Sequence, residues 1–281
     1  MKPLVLHSVF LLVLLAGARA FAEETPQALL QQAHSEFQNG KTDEALALAE
    51  KAVAAAPKEP GGHVVRAQIF SHQRKYSEAI AEWDEAAKLA PSETRVFQLR
   101  GCDHFRAGQF KESIADFDKY IEAFPDQAAH HWQRGISCYY AEKFADGRKQ
   151  FELHKTVNPE DVENAAWHYL CVARIEGVEK ARAALIEVGA DSRVPMKEIF
   201  ALFKGIAKPD DVLAAAKAGN PPPAQLKEQL FYAHLYLGLY YEAAGSHDLV
   251  REHIFKAADD FSDEGYMGDV ARVHAAVLRK K

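Results

Sequence analysis

Apolar residues recur at helical spacing along much of the chain. Val96, Leu99 and Phe105 share one face of a predicted helix, and Ile114, Phe117 and Ile121 repeat at intervals of three and four on the next. Gly108 lies between the two, and Gly40 holds the matching place earlier, as a helix end favours. This pair of helices is one unit of a pattern that returns. Pro57, Pro91, Pro125 and Pro159 stand 34 residues apart. Twenty-four residues before each is a small residue (Ala33, Ala67, Gly101, Gly135), and twelve before each is another (Ala45, Ala79, Ser113, Gly147). Counted from Pro26, Pro60, Thr94 and Ala128, each unit predicts helix A over positions 2–14 and helix B over 18–31, with the closing proline at 32. The proline ring and its missing N–H stop helix B. Asp126 and Asp161 follow two of these prolines and are placed to cap the next helix A. Small residues let helix A meet helix B closely, and Trp83, Phe117 and Phe151 at position 24 fill the space between them. A period of this length built from two helices is the mark of a repeat solenoid, whose concave surface is where such folds work.

The small residues at positions 8 and 20, the proline at 32, Trp83, Phe117 and Phe151 at 24, and Tyr76, Phe110 and Phe144 at 17 together resemble the tetratricopeptide repeat. Four units cover residues 26–160, and the fold expected is an all-α solenoid of antiparallel helix pairs. A degenerate fifth unit over 161–190 opens with Trp167, Leu170 and Cys171, turns at Gly177, and takes Ala181 to Val188 as its helix B. The period then breaks over residues 191–223. Val194 to Lys204 and Pro209 to Ala218 read as two short helices, and Asn220-Pro221-Pro222-Pro223 as a stiff linker. Residues 224–281 predict a long helix to Ala244, a partner helix from Asp248 to Asp260, and a last helix carrying Tyr266, Val270, Val273 and Val277 on one face, suited to closing the stack. The run Tyr236-Leu237-Gly238-x-Tyr240-Tyr241 before Gly245 is similar to a narrower family, the NlpI-type exported lipoproteins of Gram-negative bacteria. That resemblance implies a homodimeric adaptor bringing envelope proteases and murein hydrolases together in cell-wall maintenance.

Residues 1–20 read as a signal peptide: Lys2 is basic, Val9 to Ala18 is an apolar run too short to span a bilayer, and Ala18-Arg19-Ala20 offers a cleavage pattern. Leu15-Ala16-Gly17-Ala18 has alanine where lipid attachment needs cysteine, so a soluble, periplasmic protein with no stable membrane anchor is expected, with secretion or an uncleaved anchor as alternatives. Loss of Lys2 and Arg19 takes the net charge from −6 to −8, which disfavours nucleic acid as a partner. Cys102, Cys138 and Cys171 fall at helix-packing positions and are expected to be buried thiols without a disulfide.

Thirteen histidines prompt a search for chemistry, and the search returns little. His130 and His131 are adjacent and cannot form the i, i+4 pair zinc favours; His253 follows Arg251-Glu252 without a second histidine at 249. The chain carries no nucleophile elbow, phosphate loop or dinucleotide fingerprint. No cofactor, no metal and no enzymatic activity are expected; a cell-wall hydrolase using His234 or His253 is the rival from another class. In a tetratricopeptide stack, helix A positions 2, 5, 9, 12 and 13 line the concave wall. The candidate partner-binding groove is therefore His34, Phe37, Gln68, His72, Gln98, Phe105, Arg106, Trp132, Ile136, Tyr139 and Tyr140, with Leu30, Ser71 and Arg95 beside them. On that reading, Trp132→Ala with Tyr139→Ala weakens partner capture and leaves melting nearly unchanged. Gln27, Leu30, Gln31 and His34 in the first unit, and Gly61, Val64, Val65 and Gln68 in the second, lack the Lys and Asn that grip a terminal carboxylate. The expected partner is thus an internal protein segment or a folded protein, with an assembly scaffold for an outer-membrane or secretion complex as the alternative role.

Overall fold

Each of the four predicted units folds as a helical hairpin in the computed structural model, which describes residues 25–263 and 265–280; the expected signal segment 1–20 lies outside them. The pairs are α1 (Pro26–Gln38) with α2 (Thr42–Ala55), α3 (Gly61–His72) with α4 (Tyr76–Leu89), α5 (Arg95–Arg106) with α6 (Phe110–Ala123), and α7 (Trp132–Tyr140) with α8 (Phe144–His154). Thr25 caps α1, its Oγ1 accepting from the Ala28 N–H at 3.2 Å. The turn inside each hairpin uses a left-handed residue at one repeating place: Gly40 (φ +78°), Arg74 (φ +60°), Gly108 (φ +76°) and Glu142 (φ +59°). Glycine thus marks only two of the four turns, although the backbone makes the same turn in all of them.

The small columns do the steric work expected of them. A Cβ on Gly101 would lie 2.7 Å from the Phe117 ring, and one on Gly135 would lie 2.7 Å from the Phe151 ring. Both rings are fully buried and have nowhere to go. Gly135→Leu is therefore expected to lower the unfolding free energy by about 1–3 kcal/mol through overpacking, read by urea unfolding.

The fourth unit departs from the pattern. Its helix A has no first turn; Pro125–His130 forms a 3-10 turn and α7 starts only at Trp132. Two side chains of α8 hold that turn: the Gln150 amide donates to the Ala128 carbonyl at 2.7 Å, and His154 Nδ1 to the Ala129 carbonyl at 2.8 Å. Asp126 lies inside the turn and does not cap α7, contrary to expectation, because the cap position has passed to His131. His131 is buried between the Phe117 and Tyr120 rings, 4.5 and 5.5 Å away. Asp161 does act as a cap, accepting from the Glu163 N–H at 3.0 Å at the start of α9 (Val162–Glu176).

The fifth unit is shorter than the sequence suggests. After Gly177, α10 spans only Val178–Ala183 and stops well before Val188. The irregular chain that follows is pinned by charge: Arg193 pairs with Asp191, Asp161 and Glu163, and Glu160 accepts from the Ala190 N–H. Then come α11 (Met196–Lys204), α12 (Pro209–Lys217), the long α13 (Pro223–Ala243), α14 (His247–Phe255) continued by a π-helical turn over Lys256–Asp260, and α15 (Tyr266–Arg279). The pair α13–α14 repeats the close approach of the earlier hairpins, since a Cβ on Gly238 would meet Ile254 at 2.6 Å. Two small cores bridge units one and two (Ala33, Ala45 and Ala49 with Val65 and Ile69) and units two and three (Ala67, Ala79, Trp83 and Ala86 with Val96), whereas one continuous core runs from Phe105 to Ala275. The cysteines are free; Cys138 and Cys171 are buried and Cys102 is half-buried.

Two buried histidines make the fold acid-sensitive. Burial pulls His131 down to about 4, and burial with the neighbouring His253 pulls His234 down to about 4, from 6.5. Protons bind the unfolded chain first, so stability is full above about pH 6.5 and falls as the pH drops towards 4. His154 moves the other way: burial opposes its charge, but Asp161 and the Ala129 carbonyl outweigh it. Urea unfolding at pH 7 and pH 5 should show a drop to which His131 contributes roughly 2 kcal/mol, and His131→Phe should make the drop shallower by about that amount.

Candidate functional site

The A helices of units one to three leave an open trough. One part, of about 370 Å3, is lined by Phe37, Gln68, Ser71 and His72, with Arg106 at its far wall. An apolar continuation of about 360 Å3 is lined by Leu30, His34, Val64, Arg95 and Leu99. Phe37 stands edge-on to His72 with ring centroids 5.2 Å apart. His34 and His72 are exposed, and Leu99 is an exposed large apolar side chain at 41 %. Gln98 is half-buried and lines neither part.

Beyond unit three, the trough is filled by the chain's own last helix. Tyr266 of α15 stacks on Phe105 at 5.4 Å and meets Trp132 edge-on at 5.1 Å. Tyr140 OH hydrogen-bonds His274 at 2.9 Å, and Arg106 Nε donates to Asp269 at 2.7 Å. The expectation of exposed groove residues therefore fails for Phe105, Ile136 and Tyr139, which are 0, 1 and 4 % exposed. The Tyr139 hydroxyl also donates a hydrogen bond to Glu242 at 2.6 Å. Trp132 and Tyr140 are half-buried against the core. The physical reason is α15 itself, whose Tyr266 ring buries apolar surface against Phe105 and Trp132 while Asp269 and His274 pair with Arg106 and Tyr140.

A polar clasp at the boundary of the open and filled parts was not visible in the sequence. Asp103, 1 % exposed, accepts from Trp83 Nε1 at 2.8 Å, Ser71 Oγ at 2.7 Å and Arg106 Nη1 at 2.8 Å. Arg106 also reaches Ser71 at 3.0 Å, and Arg272 joins through Asp269 at 2.7 Å. Burial works against the Arg106 charge but is outweighed by Asp269 and Asp103, so the guanidinium stays charged. The one available signal was an aspartate inside a helix whose neighbours face packing surfaces. On the trough wall, burial pushes the Cys102 thiol up to about 12, so it is not a nucleophile at neutral pH. His234 and His253 approach through their Nδ1 atoms at 2.9 Å inside the α13–α14 hairpin, where Phe261 stacks on His234; neither lines the trough. Among the described residues, no three His, Cys, Asp or Glu are grouped to hold a metal ion, and no helix is long and apolar enough to cross a membrane.

Residues 30–94 and 99–158 match the family model for the tetratricopeptide repeat. A tetratricopeptide repeat protein from Parabacteroides merdae superposes with a TM-score of 0.57 at 14% identity, covering 91% of this chain and 99% of that one. MamA from Desulfovibrio magneticus, from residue 41 onward, superposes with a TM-score of 0.52 at 15% identity, covering 56% of this chain and 89% of that one. At such identities the likeness bears on the fold alone. No curated protein matches the chain in sequence. The hairpin geometry, the 34-residue register and the family match together identify residues 30–94 and 99–158 as tetratricopeptide repeats, in a chain whose described residues form helices and no strands.

Proposed function

We propose that the protein is an exported, periplasmic and non-enzymatic adaptor that holds a polypeptide segment in the open trough of units one to three. The observation that carries this reading is the trough itself. Its two parts, of about 370 and 360 Å3, are apolar at Leu30, Val64 and Leu99 and edged by Gln68, His72 and Arg95. Apolar area gives affinity there and the polar heads fix orientation. The narrower reading, an NlpI-type homodimer that presents envelope proteases to murein hydrolases, rests on residues 236–245.

A photo-crosslinker at Leu99, with Lys149 on the helix B face as control, tests the proposal in intact cells. A partner caught only at Leu99, whose purified form loses affinity by about tenfold on Leu99→Arg while melting is unchanged, supports it. Equal capture at both positions, or affinity unmoved by Leu99→Arg, overturns it. Fractionation of the same cells checks the location, and a purely cytoplasmic protein overturns the export.

A further inference from the structure

A second cavity, of about 300 Å3, lies away from the open trough, between α7, α8, α9, α13 and the start of α15. Five aromatic side chains line it: Trp132, Phe151, Trp167, Tyr232 and Tyr266. Three carboxylates join them, from Asp161, Glu163 and Asp263. Arg193 bridges Asp161 and Glu163 and is also shared with Asp191, and Tyr236 donates its hydroxyl to Glu163 at 2.6 Å; by formal count the wall stays acidic, although burial raises the Glu163 carboxyl. His154 stands 3.8 Å from Asp161 and adds a further basic group. Asp263 accepts from the Gly265 N–H at 2.6 Å, immediately before α15.

Three side-chain polar atoms in the residues lining this cavity have no hydrogen-bond partner. They are the Tyr266 hydroxyl, which can turn to donate or accept, the indole N–H of Trp167 and the side-chain oxygen of Asn164, the last two in residues 1 and 4 % exposed. The Asn164 amide nitrogen is satisfied by the Phe151 carbonyl at 3.0 Å, so only its acceptor is left over. Buried polar atoms are normally paired, and a leftover donor and acceptor beside the same cavity describe what would complete it. The acceptor asks for a donor and the donor for an acceptor. Aromatic faces and carboxylates add a preference for positive charge.

From this juxtaposition we infer that the cavity is a recognition site for a lysine or arginine residue of a partner polypeptide. The side-chain cation sits among the rings and carboxylates and donates to Asn164, while the residue's own backbone carbonyl accepts from Trp167. An anion would meet three carboxylates, and an aliphatic side chain would leave the Trp167 and Asn164 atoms unpaired. The inference extends the polypeptide-binding reading to a second place on the molecule. It is tested apart from that reading, because Asp263 and Tyr232 do not line the trough.

The test follows the three tryptophan indole N–H resonances of the full chain, with Trp167 assigned through Trp167→Phe. Probes are the N-acetyl methylamides of lysine, arginine, norleucine and glutamate, together with n-butylammonium. The lysine and arginine compounds are expected to shift the Trp167 resonance in a saturable way and leave Trp83 still. Asp263→Asn, Tyr232→Leu and high salt should each weaken that response by about fivefold, with melting unchanged in at least one of the two variants. Norleucine and glutamate should be silent and butylammonium much weaker, since it has no carbonyl to offer. No saturable shift with lysine or arginine, an equal shift with norleucine, or butylammonium as effective as the lysine compound overturns the assignment.

Discussion

Tyr139→Ala lowers the unfolding free energy by about 3–5 kcal/mol, the usual cost of removing a large buried aromatic side chain. The ring is 4 % exposed, meets Trp167 at 5.4 Å and Phe144 at 5.5 Å, and ends in the hydrogen bond to Glu242. Adding Trp132→Ala removes the edge contact to Tyr266 and deepens the loss. Urea unfolding followed by circular dichroism measures both. On the sequence reading these two rings are binding residues whose removal leaves melting alone. A double variant that melts like the parent would place them back on an open wall and show that α15 does not occupy it.

The second large effect is Asp103→Ala, expected to cost about 3–5 kcal/mol because it leaves buried donors without their charged acceptor. Trp83 Nε1, Ser71 and Arg106 all turn to this one carboxylate. Asp103→Asn keeps an acceptor oxygen and loses the charge, so its cost should fall between the alanine variant and the parent. The two losses, measured side by side, separate the hydrogen bonds from the ion pair. A loss below about 1 kcal/mol for the alanine variant would mean that the carboxylate adds nothing beyond an ordinary hydrogen bond.

The hairpins of units one to four were legible because their determinants are local and repeat. Proline ends helix B, a small residue admits the neighbouring helix, and Phe117 or Phe151 fills what remains. The lost first turn of α7 was not legible, because Gln150 and His154 hold it from the following helix and carry no unusual pattern. Much the same is true of α10, after whose end at Ala183 the chain is held by Arg193 pairing back to Asp161 and Glu163. The groove was legible only in part. Position within the repeat found Phe37, Gln68 and His72, which line the open trough. It could not find that Phe105 and Tyr139 are covered, since Arg106 and its partner Asp269 are 163 residues apart in sequence. The last helix was read as a cap for the end of the stack; it packs on the α14 hairpin there, and it also reaches back along the wall to α5, which the sequence did not show.

That placement changes how the molecule would respond to mechanical load. A stack of repeats touching only its neighbours can unravel from either end. Here the carboxyl-terminal helix is buckled to the third hairpin, so force applied to the two ends finds a single weak side. Helices α1 to α4, whose two small cores stand apart from the continuous one, would peel away in short steps at low tension. The remainder would then hold until the Arg106–Asp269 buckle gave way, and come apart in one long rip.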